Sequence, residues 1–174
     1  MKPTVSWIRP MERVLTISVQ AMAVTTAMVM ISSLILGIFF RYVMGDSLTW
    51  TEEVAMLCFS WLTFLAAALM VRENGHVRVE LIESIMSPRY YWLLTQLIWI
   101  LIGLIGTYMA WNGFEFISLT IGQSSPAIRY PIWVRDVSLP VGGILISIYA
   151  LLNLGAHSFS PISQPNKPKT ELES

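Results

Sequence analysis

The chain has 174 residues, of which 55% are hydrophobic and only 13% charged. Soluble domains carry about 25% charged residues, so the deficit points to lipid rather than water as the solvent. Basic and acidic side chains, 11 of each, cancel to a net charge of zero, which argues against a nucleic-acid partner. The single cysteine, Cys58, can form neither an internal disulfide nor, alone, a zinc site.

Four charge-free or nearly charge-free runs follow one another along the chain, and they predict helices over about 14–40, 52–71, 90–114 and 135–156. Each is close to or above the roughly 20 residues needed to cross the hydrocarbon core. Backbone polar groups in lipid must be paired within the segment, so the fold class is all-α, integral to a membrane. The first run is too long for the apolar core of a cleaved signal peptide and is expected to stay as an anchor. It ends at Arg41. The second opens with "SLTWTEEVAML", where Glu52 and Glu53 sit at the edge of the apolar stretch. Thr49 and Glu52 have the spacing of a capping box, acidic side chains in a first turn meet the helix dipole favourably, and Arg41 offers a counter-charge. Further along this helix Trp50, Glu53, Leu57 and Trp61 share a face. Two readings of that face stand: packing inside the domain, or contact with another membrane protein.

Between the second and third runs lies "HVRVELIESIM", residues 76–86. Its apolar residues fall near one helical face with Arg78 and Glu83 elsewhere, which fits a short amphipathic helix at the interface; an ordinary polar loop is the alternative. Gly103 and Gly106 in the third run, and Gly142 and Gly143 in the fourth, permit close helix approach. Residues 1–157 read as one four-helix membrane domain and 158–174, rich in Pro and Ser, as a disordered polar tail.

Lys and Arg orient the helices. The N-terminus (Lys2, Arg9, Arg13), the second loop (Arg72, Arg78, Arg89) and the tail (Lys167, Lys169) hold eight; the first and third loops hold Arg41, Arg129 and Arg135. By the positive-inside rule both termini are cytoplasmic, and Glu52 and Glu53 lie near the outer face.

The runs contain no charge at mid-depth, where an ion or proton pathway would require one. Gln20, Gln96 and Asn112 are neutral and suit hydrogen bonds between helices. His76 and His157 are the only histidines, a poor basis for haem held between facing helices. No HExxH, CxxC or glycine-rich phosphate loop occurs. An enzyme is not expected, nor a bound cofactor.

The ordered set of features in residues 41–82, namely Arg41-Tyr42, Trp50 with the Glu pair, Trp61, the Ala-rich stretch 66–68, Arg72, and Gly75-His76 leading to Arg78, resembles the small membrane subunit of TRAP transporters, the DctQ-like family. Residues 122–143, with Ser125-Pro126-Ala127, Pro131, Trp133 and Leu139-Pro140, resemble that family's approach to its last span. Glu80 stands where the family often has Asp, and Arg129, Arg135 and Asp136 stand where neutral residues are usual, leaving the start of the fourth helix open. The resemblance implies a tripartite, ATP-independent, sodium-coupled system in the bacterial inner membrane that takes up an organic acid. A periplasmic binding protein captures the acid and a large membrane subunit translocates it and carries the sodium coupling. The small subunit, non-catalytic, supports the large one and helps dock the binding protein. On this basis Arg41, Trp50, Glu52, Glu53, Trp61, Arg72 and His76 are expected at the subunit interface. Arg129, Arg135 and Asp136 are expected to dock the binding protein, with local pairing or lipid headgroup contact as the alternative for these three. Competing classes are a small haem- or quinone-carrying redox subunit and an independent four-helix exporter or channel.

Overall fold

The computed structural model of the chain describes residues 8–73 and 88–158. The interfacial helix expected over 76–86, His76, and the tail beyond residue 158 lie outside the described residues. Helix α1 (Ile8–Phe39) runs into a π-helical turn over Phe40–Met44. The turn is closed by Gly45 at φ 74°, whose N–H donates to the Phe40 carbonyl. A side chain there would meet the left-handed penalty that glycine avoids. Helix α2 (Thr49–Glu73) follows, then α3 (Pro88–Thr120), which opens on a proline at the position where its missing N–H costs nothing. A one-turn helix α4 (Trp133–Asp136) leads into α5 (Ser138–Ser158).

Among the described residues four helical segments are long and apolar enough to span a membrane: Glu12–Met44, Thr49–Glu73, Trp92–Thr120 and Trp133–Leu154. They match the four expected runs, and the helices extend past them. Charge-free runs stop at the first ionised side chain, whereas a helix continues into the interfacial layer, where such side chains are hydrated. Thus α3 passes Glu115 and ends at Thr120. Its 33 residues give about 50 Å of length, more than the ~30 Å hydrocarbon thickness.

Among the described residues the backbones pack in the order α1, α2, α5, α3. The helices therefore stand in an open row, with α2 and α5 central. Val19 and Ala23 from α1, Leu65 and Ala68 from α2, and Leu145, Ile146 and Tyr149 from α5 form the core. Tyr149, at 1% exposure, is its pivot: its hydroxyl lies 3.3 Å from that of Thr16 on α1. A buried phenol needs such a partner, since an unpaired hydroxyl in an apolar surround is costly. The α3–α5 contact is tighter. A Cβ added at Gly143 would sit 2.6 Å from the Gly106 carbonyl oxygen and 2.7 Å from the Ala110 nitrogen, so here the backbones themselves touch. Gly103, by contrast, has ordinary room beside Ala150. The hydroxyls of Ser60 and Ser138, 2.8 Å apart, link α2 to the start of α5. Outward, α1 and α3 expose rows of large apolar side chains, such as Ile17, Val24, Ile31 and Ile38 on α1 and Leu97, Leu101 and Leu104 on α3, the pattern expected of lipid- or partner-facing helices.

Candidate functional site: the Glu52–Glu53 end

Among the described residues a group of polar side chains, Arg41, Glu52, Glu53, Ser125, Tyr130, Arg135 and Asp136, lies at the end of the helices that holds the start of α2 and the loop between α3 and α4. That loop is built tightly. Gly122 leaves α3 at φ 91°, Ser124 pairs antiparallel with Pro131, the Ser125 amide donates to the Tyr130 carbonyl at 2.9 Å, and the Ile132 amide to the Gln123 carbonyl at 3.1 Å. The result is a short hairpin-like arm with residues 125–130 at its tip. Pro126 has no N–H to give, and the arm's own bonds leave the amides of Ala127 and Ile128 without backbone acceptors among the described residues. At this exposed tip water could take both amides, but it is the Glu53 carboxylate that accepts them.

The Glu53 carboxylate accepts from the Ala127 amide at 2.7 Å on one oxygen, and on the other from the Ile128 amide at 2.9 Å and from the Ser125 hydroxyl. Three donors from one loop thus converge on one acceptor-only group. Next to it, Glu52 pairs with Arg41 in the π-helical turn that follows α1. Both side chains are about half exposed, and exposed pairs contribute about 0–1 kcal/mol. The capping box expected from Thr49 and Glu52 is not formed in this way: α2 begins at Thr49 itself, and the Glu52 carboxylate goes to Arg41. The physical reason is competition, because a guanidinium within reach is a stronger partner for a carboxylate than a backbone amide. The start of α2 is fastened instead by Thr51, whose hydroxyl donates to the Leu48 carbonyl at 2.8 Å.

Arg135 and Asp136 pair with each other, Nε to Oδ1 at 3.0 Å. Asp136 is only 5% exposed, and its Oδ2 has no hydrogen-bond partner among the described residues. Tyr130 lies in the same group. Burial pushes its phenol above the ordinary range, Arg135 pulls it down, and Glu53 and Asp136 push it up, so it stays a neutral phenol at physiological pH. An open groove of about 460 Å³ lies between Thr49, Glu52 and Met56 on α2 and Pro126, Tyr130 and Arg135 opposite. Among the described residues no three His, Cys, Asp or Glu side chains converge as metal ligands would.

The residues singled out from the sequence therefore fall into separate places. Arg41, Glu52 and Glu53 gather at this end, with Trp50 partly exposed beside them at the start of α2. Trp61 is turned inward, its indole N–H donating to the Val134 carbonyl at 3.1 Å. Arg72 lies near the other end of α2, about 29 Å from Glu53 along the helix axis, and faces Glu12 on α1 at 3.6 Å. Arg129 stands at the exposed loop tip in a left-handed conformation, φ 60°. Sequence reasoning did not identify Ser125 and Tyr130 as partners of the Glu pair. The Ser-Pro step was the available signal, since it marks a turn whose following amides need acceptors.

Residues 30–157 match the family profile described as tripartite ATP-independent periplasmic transporters, DctQ component. Among curated proteins the chain is 27% identical to the isethionate TRAP transporter permease protein DctMQ of Oleidesulfovibrio alaskensis, over 60% of this chain but only 17% of that much longer one. It is 27% identical to a Haemophilus influenzae protein described as a candidate TRAP transporter small permease, over 68% of this chain and 74% of that one. It is 26% identical to the sialic acid TRAP transporter small permease protein SiaQ of Vibrio cholerae, over 61% of each chain. The profile match spans α2, α3, the Glu53-held loop and α5 up to His157, and on it the chain belongs to the DctQ family of tripartite ATP-independent periplasmic transporter components.

Proposed function

We propose that this chain is the small, non-catalytic membrane subunit of a tripartite, sodium-coupled transporter for an organic acid. It sits in the bacterial inner membrane with both termini cytoplasmic, supports a large translocating subunit, and helps dock a periplasmic binding protein. The observation that carries this reading is the open row. Among the described residues four spanning helices stand side by side with broad apolar flanks on α1 and α3, a shape that suits a buttress against a larger membrane partner. The much longer DctMQ relative, of which the match covers 17%, supports the view that a small-subunit unit works beside a larger permease part. The names of two relatives, for isethionate and for sialic acid, support an organic anion as the class of substrate.

Within this reading Arg41, Trp50 and Glu52 offer the exposed part of a subunit contact, with Arg72 and His76 towards the cytoplasmic side. Glu53 and Trp61 contribute indirectly, because their polar atoms are engaged inside the chain. For docking, Arg129 is the exposed charge, Arg135 is partly committed to Asp136, and Asp136 is buried. Sodium coupling belongs to the large subunit. Purification of the large subunit through its own tag tests the support role: this chain should co-purify in stoichiometric amount. Failure to co-purify, with both chains folded in the same membranes, would overturn it.

A further inference from the structure

We infer that Glu53 is the positioning residue of the docking surface: its carboxylate fixes the 125–130 tip so that Ile128 and Arg129 face an acidic, partly apolar patch on the periplasmic protein. This rests on the docking reading above and narrows it. The tip has no helix or sheet beneath it to take the Ala127 and Ile128 amides, and both go to Glu53 on α2, a helix fixed in the centre of the row. The Ser125 hydroxyl adds a third bond from the same turn. What the clasp holds up is unusual for a surface loop. Ile128 is 43% exposed, and next to it Arg129 is held at φ 60°, a conformation that disfavours a residue with a Cβ. Among the described residues Arg129 has no salt bridge, so the tip presents one isoleucine and one unpaired cation. The complementary partner is a carboxylate-bearing surface with apolar area beside it. Of the three charges expected to dock, the burial of Asp136 and its pairing with Arg135 leave Arg129 as the one this surface offers most directly.

The chemistry of the clasp makes it testable by one atom's exchange. Glu53→Gln keeps shape and length but leaves one acceptor oxygen, and its NH2 must then face a donor of the loop. The experiment uses the complete system: this chain with its large subunit in proteoliposomes, supplied with the binding protein. Two readouts are taken, the concentration of binding protein giving half-maximal uptake and the rate of trypsin cleavage after Arg129. Glu53→Gln should speed cleavage and raise the half-maximal concentration about fivefold. Arg129→Glu should raise that concentration by a similar factor, and both variants should flatten its dependence on salt. Unchanged cleavage in Glu53→Gln overturns the clasp. Faster cleavage with unchanged half-maximal concentration in both variants overturns the docking reading while leaving the clasp standing. If Glu53→Gln does not assemble, Ser125→Ala removes one of the three bonds and is judged by the same two readouts.

Discussion

Two neighbouring glutamates do different work. Glu52 pairs directly with the half-exposed Arg41 guanidinium, and Glu53 holds a loop. The difference follows from helix geometry, since adjacent residues point about 100° apart. Replacing Arg41 by Ala should therefore cost little, about 1 kcal/mol or less, in the thermal unfolding of the purified chain. Tyr149 should be more sensitive. Tyr149→Phe leaves the Thr16 hydroxyl bonded to the Glu12 carbonyl and should cost about 1 kcal/mol. Tyr149→Ala opens a cavity in the core and should cost about 3–5 kcal/mol. Equal effects of the two variants would show that the ring is not the pivot of the α1–α2–α5 contact.

At the scale of elements, Gly143 and Gly106 set how near α3 can lie to α5. Gly143→Val should force the two backbones apart, at about 1–3 kcal/mol, and should lower the yield of folded protein in detergent. Gly103→Ala, with room beside Ala150, should be neutral in the same assay. The four helices were legible from the charge-free runs because the bilayer requires long apolar segments. Their order in space was not. Spans that are apolar around most of their circumference have no amphipathic stripe to say which neighbour each face meets, and the close approach at Gly143 shows only once α3 and α5 are paired. The clasp was hidden for another reason: Glu53 and Ser125 are 72 residues apart, and nothing local to either marks the other. The sequence marked one end of the contact, the carboxylate pair at a helix start, and offered Ser125-Pro126-Ala127 only as part of a family resemblance.

At the scale of the whole molecule, the row of helices fits the proposed function, in which the polar groups serve contact rather than chemistry. The polar site built around Glu53 lies at an end, outside the apolar faces, and fixes a loop. The apolar flanks of α1 and α3 are wide enough to lie against a second membrane protein as well as lipid. In the proposed function this chain supports transport and does not itself perform it. The most direct test is sodium-driven uptake of a labelled organic acid into proteoliposomes that contain this chain alone, the large subunit with the binding protein, or all three. Uptake is expected only with all three. Uptake by this chain alone, or full uptake without it, would contradict the account.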